Sequence, residues 1–190
     1  PVARNMINTF FFNMNAIKAG KSRPAGVPKW KPTKVGVLGA GMMGAGIAHA
    51  SASRGIACVL KDVTIEKARS GFESVRKITA PLVAKGRMSE LQQAGLLNLI
   101  TPTAEAADLR GCDLIIEAVF EQRELKAAVT REAEPMLADG GVFASNTSTL
   151  PITGLAEASV RPDKFVGLHF FSPVHKMKLV EIIRGAQTND

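Results

Sequence analysis

From residue 34 onward, short apolar runs alternate with stretches in which apolar positions recur every three or four residues. The runs fall at about 35–39, 56–61, 98–101, 113–119, 141–144, 165–170 and 178–183, and the helical stretches at about 42–54, 64–86, 89–96, 122–137 and 151–157. This alternation predicts an α/β fold, a doubly wound and mostly parallel sheet with helices on both faces and right-handed crossovers. Ahead of it, "ARNMINTFFFNMNAIKAG" places Met6, Phe10, Met14 and Ile17 on one stripe that Phe11 and Phe12 widen. The spacing predicts an amphipathic helix over residues 1–20, stopped at Gly20, followed by a Pro/Gly/Lys linker over 21–33. Such a stripe needs a surface to pack against, expected outside this chain. Because the sequence begins at Pro1 without an initiator Met, it reads as an excerpt of a longer protein.

Composition narrows the class. A chain of 190 residues with 46% hydrophobic content suits one domain with an appendage. No apolar run approaches the roughly 18 residues needed to cross a bilayer, and no signal-peptide layout opens the chain, so a cytoplasmic protein without a membrane span is expected. Cys58 and Cys112 fall in or beside apolar runs and read as inert core thiols, with no metal site expected. The net charge of +7 raises the possibility of nucleic acid. However, residues 1–34 hold seven of the 24 Lys and Arg and no acid, and the other 17 balance the 17 Asp and Glu. The domain itself is formally neutral, so no nucleic-acid partner is expected and the basic leader reads as a solvated tether.

The first apolar run leads into G-A-G-M-M-G, with glycines at 39, 41 and 44 enclosing Met42 and Met43. Gly39 permits a tight turn off the strand, Gly41 lets backbone approach a pyrophosphate, and Gly44 lets the following helix pack close to the sheet. The phosphates then meet the unpaired N–H groups of a helix N-terminus. Asp62 closes the next strand 23 residues after Gly39, placed to accept hydrogen bonds from a ribose. These features predict a Rossmann-type domain, and an acid at that place favours NAD over NADP. Lys61 beside it is the one adverse charge.

A doubly wound sheet binds its ligand at the carboxyl ends of its strands, which brings Glu121, residues 145–148 and His169 together. Oxidation of an alcohol needs a group to take the hydroxyl proton, and His suits that role. The stretches "DLIIEAVFEQRELKAAV", "VFASNTSTLPITGLA" and "FVGLHFFSPVHKMKLVEII", with the glycine loop, resemble the NAD-binding domain of 3-hydroxyacyl-CoA dehydrogenases over essentially the whole chain. The leader resembles the connecting segment of multifunctional fatty-acid β-oxidation proteins, which fuse an enoyl-CoA hydratase to the dehydrogenase.

The resemblance implies oxidation of L-3-hydroxyacyl-CoA to 3-ketoacyl-CoA with NAD. It makes His169 the base, Glu181 its buried carboxylate partner, and Ser148 a hydrogen-bonding group for the substrate 3-oxygen or the nicotinamide. Met43, Val119, Phe120, Glu121 and Lys126 match cofactor-contacting positions, although Lys126 reads equally as an exposed helix lysine. Ser172 stands where the family often has Asn, which implies a weaker cofactor contact. Among the remaining candidates, His49 reads as structural and His175 as exposed. Ser74, Arg76 and Lys77 read either as contacts for coenzyme A phosphates or as a solvated helix face. A hydratase domain, a helical C-terminal dehydrogenase domain supplying a catalytic Asn, and a thiolase subunit are the implied partners. Without the C-terminal domain this stretch is expected to turn over poorly. The alternative reading is a non-catalytic NAD-binding or assembly module.

Overall fold

In the computed structural model, which describes every residue except Ser22 and Ala25, strand residues alternate between two apolar layers. On β1 (Lys34–Leu38), Val35 and Val37 face one layer and Leu38 the other; on β2 (Ala57–Lys61), Cys58 and Leu60 face the first and Val59 the second. Period-two geometry requires this of strands covered on both faces. The first layer holds Ala45, Ile47 and Ala48 of α3 (Met42–Ala52), Val75 of α4 (Ile65–Ala84) and Leu96 and Leu97 of α5 (Glu90–Leu97). The second holds Ala133 of α6 (Arg123–Ala133), Ile152 and Leu155 of α7 (Ile152–Ala156), and the stacked rings of Phe143 and Phe165.

The strands run in the order β3-β2-β1-β4-β5-β6-β7, with β3 Ile100–Thr103, β4 Cys112–Glu117, β5 Leu137–Ser145, β6 Phe165–Phe170 and β7 Val180–Arg184. All neighbours are parallel except β7, which pairs antiparallel with β6. The order reverses between β1 and β4, which opens the crevice that doubly wound sheets use for ligands. Helix starts follow local chemistry. Thr64 Oγ1 accepts from Lys67 N at 3.3 Å, and Ser89 and Gln92 close a reciprocal capping box on α5.

Two elements differ from the sequence expectation. The helix predicted to run to 137 stops at Ala133, because Pro135 lacks the N–H an α-helix needs, and a 3-10 turn over Glu134–Met136 leads into β5. β5 therefore starts several residues earlier than its apolar run, with an irregular register between Cys112 and Leu114 on its partner strand. A further 3-10 turn, Ala106–Leu109, carried no periodic signal.

Pro1–Lys31 forms a separate compact unit from Pro32–Asn189. Within it, α1 (Val2–Met6) and α2 (Met14–Lys18) flank a π-helical middle over Ile7–Asn13 that carries Phe10, Phe11 and Phe12, all exposed. Among the described residues no helix is long and apolar enough to cross a membrane, and no cluster of three His, Cys, Asp or Glu could hold a metal ion. Cys58 and Cys112 are free and buried, and burial pushes their thiols up to about 12 and about 11.

Candidate functional site

The glycine turn is built by three different constraints. Gly39 has φ +90°, and a Cβ there would lie 2.8 Å from the Ala118 carbonyl oxygen. A Cβ on Gly44 would overlap the Gly39 oxygen, so this helix can approach the strand only with glycine at that place. Gly41, the residue preceding α3, is extended at φ −68°, and a Cβ there would meet no protein atom within 4 Å. The protein does not itself need glycine at 41. The bare backbone keeps space open in front of the α3 N-terminus, the place a pyrophosphate would take.

Asp62 braces this turn from β2. Its Oδ2 accepts from Ala40 N at 2.7 Å and its Oδ1 from Val63 N at 2.7 Å. A carboxylate offers about four lone-pair sites, so acceptor capacity remains for ribose hydroxyls. Lys61 points to the other face, buried, with Nζ 3.2 Å from Glu132 Oε1. Its charge is neutralised away from Asp62, which removes the adverse feature of the sequence. Glycine turn, open backbone and acid together fit a dinucleotide.

Beyond β4 lies a second constellation. Lys126 is 2% exposed, not an exposed helix lysine, and its Nζ donates to both oxygens of Glu117 at 2.9 Å. The same Nζ lies 3.2 Å from Glu121 Oε2. Glu121 Oε1 in turn accepts from Thr147 Oγ1 at 2.6 Å, Ser148 N at 2.9 Å and Thr149 N at 3.2 Å. Partial burial pushes the Glu121 carboxyl up, but those donors and the Lys126 ammonium outweigh it and hold it at about 2. The first three side chains of "SNTS" are thereby occupied. Ser145 Oγ donates to Glu117, Asn146 Oδ1 accepts from Phe170 N at 2.9 Å, Thr147 binds Glu121, and Ser148 is exposed. Glu117, Ser145, Asn146 and Thr147 were not singled out individually from the sequence. Glu117 could have been, because a carboxylate inside the run "DLIIEAVF" demands buried partners.

His169 and Glu181 are partners in the β6–β7 ladder, and His169 Nδ1 lies 2.8 Å from Glu181 Oε2. The pair expected from the sequence is formed, but Glu181 is not buried: its side chain is 51% exposed, because β7 is an edge strand exposed along its whole length. A carboxylate on Nδ1 fixes the imidazole tautomer and leaves the other ring nitrogen to exchange a proton with a ligand. A cavity of about 360 Å³ has His169, Ser148, Glu121, Asn146, Met43 and Ser172 on its walls, with Val119 beside them. Gly41 and Met42 open instead onto a neighbouring cavity of about 370 Å³. Ser172 Oγ lies 3.7 Å from Met42 Sδ, across the glycine turn. Phe120 is 80% exposed and lines neither cavity. His175 is exposed and edge-on to His49, with ring centroids 6.0 Å apart. Arg76 is paired with Glu73 at 3.2 Å.

Open backbone before the α3 N-terminus, and an imidazole–carboxylate pair on the neighbouring cavity at the carboxyl ends of the strands, make this the dinucleotide-binding domain of a dehydrogenase. Residues 34–190 match the model of the NAD-binding domain of 3-hydroxyacyl-CoA dehydrogenase, and the chain belongs to that family, with NAD as its cofactor. Solved structures agree. The (S)-3-hydroxybutyryl-CoA dehydrogenase of Ralstonia eutropha is 38% identical with a TM-score of 0.81, over 84% of this chain and 56% of that one. The 3-hydroxybutyryl-CoA dehydrogenase of Escherichia coli K12 is 31% identical with a TM-score of 0.80, over 84% and 34%. The dehydrogenase part of multifunctional enzyme 1 from C. elegans is 26% identical with a TM-score of 0.73, over 84% and 36%. The chain thus spans little more than half the length of the Ralstonia enzyme and about a third of the other two.

Proposed function

We propose that this chain carries the cofactor site and the proton-transfer groups for oxidation of L-3-hydroxyacyl-CoA to 3-ketoacyl-CoA. The observation that supports it best is the 2.8 Å contact of His169 with Glu181, on a cavity that also holds Ser148. The ring nitrogen of His169 not engaged by Glu181 takes the proton of the substrate 3-hydroxyl. Glu181 favours the imidazolium that results. Ser148, whose hydroxyl is only 3.4 Å-bonded to Glu121, donates to the 3-oxygen as it becomes a carbonyl. Bound NAD would supply the hydride acceptor for C3. Gly41 and Met43 would hold its phosphates and nicotinamide end and Asp62 its adenosine ribose, while Glu121, Val119 and Ser172 would border the reacting end. Lys126 serves the cofactor through Glu121, and Phe120, exposed after β4, is the further cofactor contact that the family resemblance implies.

The C. elegans relative, the dehydrogenase part of a multifunctional enzyme, supports placing residues 34–190 in a multienzyme; that this is one of β-oxidation, with residues 1–20 and 21–33 as the helix and linker to a hydratase domain, is what the sequence resemblance implies. A following helical domain would cover β7 and complete the acyl site, and a thiolase subunit would take the 3-ketoacyl product. The free thiols fit a reducing, cytoplasmic setting. On this reading the chain alone binds NAD but turns over slowly.

The test is His169→Gln in the protein carrying the following domain, assayed by NADH formation from 3-hydroxybutyryl-CoA. Turnover should fall by roughly 10²–10⁴ with NAD affinity unchanged. Equal losses in both would favour a binding or assembly module.

A further inference from the structure

We propose that Glu117 is a positioning residue for the cofactor site, acting through Lys126 on Glu121 and the loop that carries Ser148. The inference rests on the preceding assignment of Glu121 and Ser148 to the cofactor end of the cavity. Glu117 sits at the end of β4, held in register between Leu38 of β1 and Ser145 of β5, and is 1% exposed. Its carboxylate receives only donors: two contacts from Lys126 Nζ, the Ser145 hydroxyl, and Val119 N at 3.3 Å. Glu121, in contrast, stands on the connection after β4 and is exposed, so its side chain is set by its partners, Lys126 on one oxygen and Thr147, Ser148 and Thr149 on the other.

The ammonium of Lys126 spans the two carboxylates, 2.9 Å from one and 3.2 Å from the other. Through it the rigid sheet sets the position of a side chain that in turn gathers Thr147, Ser148 and Thr149. Stability alone is a poor reason to bury such a pair, because desolvating two charges costs about as much as their attraction returns. A relay that fixes a loop beside the reacting atoms accounts for its retention. The same relay also reaches β6: Asn146, next to Ser145, holds Phe170 N, the backbone group immediately after His169.

A double-mutant cycle on NAD affinity tests this, measured by isothermal titration calorimetry on the 190-residue chain. Glu121→Gln should weaken binding about tenfold. Glu117→Gln should weaken it by about three- to tenfold, and the double variant should bind no more weakly than Glu121→Gln alone, because both act on one relay. Additive losses, or a Glu117→Gln variant whose affinity stays within about twofold of the parent, overturn the proposal. If Glu117→Gln fails to fold, Ser145→Ala takes its place in the same cycle. It removes one donor to Glu117 and the acceptor of Thr147 N at 3.2 Å, both within the same relay, while leaving the ion pair whole, and the same criterion of non-additivity decides. A Glu121→Gln variant with undiminished affinity refutes the underlying site assignment instead, which separates the two failures.

Discussion

Gly41→Ala separates what the fold requires from what the ligand requires. The residue has φ −68° with extended ψ, open to any L-residue, and the added methyl would meet no protein atom within 4 Å. Two small effects on stability oppose each other: lost backbone freedom in the unfolded chain stabilises by about 0.4–1 kcal/mol, and Ala before a helix is less favourable than Gly by a comparable amount. The net change should stay below about 1 kcal/mol, which for a chain of this size moves the melting temperature by no more than about 2–4 °C. The same methyl projects into the space before the α3 N-terminus, where it would hold a pyrophosphate away from the unpaired N–H groups. Loss of two charge-assisted hydrogen bonds there, at about 1.5–3 kcal/mol each, weakens NAD binding by at least about a hundredfold. Gly44→Ala is the internal contrast. Its methyl overlaps the Gly39 oxygen, so it should lower the melting temperature steeply whether or not NAD is added. Calorimetric titration with NAD and thermal melts of the three proteins read both quantities. A Gly41→Ala protein that binds NAD within twofold of the parent, or that melts as early as Gly44→Ala, would refute the reasoning.

Two other expectations follow from the same site. Glu121, held at about 2 against an ordinary carboxyl value of 4.5, contributes stability that is fully present above the unfolded value and is lost as pH falls toward the folded one. Denaturant titrations should therefore show the parent's advantage over Glu121→Gln constant above about pH 5 and vanishing toward pH 2, and an advantage that persists at the acid end would contradict the assignment. Asn146→Ala frees Phe170 N beside His169, so in the protein with its following domain it should cut kcat by about tenfold while the NAD dissociation constant changes less than threefold; the reverse pattern would show that Asn146 serves the cofactor directly.

The sheet was legible because its strands are apolar on both faces and its helices periodic, so local pattern and global fold agree from β1 to β4. That agreement fails at residues 137–141, where Asp139, Gly140 and Gly141 make a strand that no apolar run marks. The glycine turn and Asp62 were readable because their spacing is short-range. The relay behind them was not: Glu117 meets Ser145 across 28 residues and Asn146 meets Phe170 N across 24, contacts that only the pairing of β4, β5 and β6 creates. Lys126 shows the same limit, since its position on α6 fits exposure equally well until the sheet places two carboxylates beneath it. Glu181 shows the converse. Its partner was identifiable, but its exposure depends on β7 being an edge.

Asp62 has consequences for anyone wishing to change the coenzyme this protein accepts. The carboxylate that would repel a 2′-phosphate is also a rivet, joining Ala40 and Val63 across two strands. Replacing it with a smaller or basic side chain to welcome NADP unfastens the bend it was meant to retune. Selectivity and rigidity are soldered together here, and a successful redesign must supply a second fastener before it alters the first.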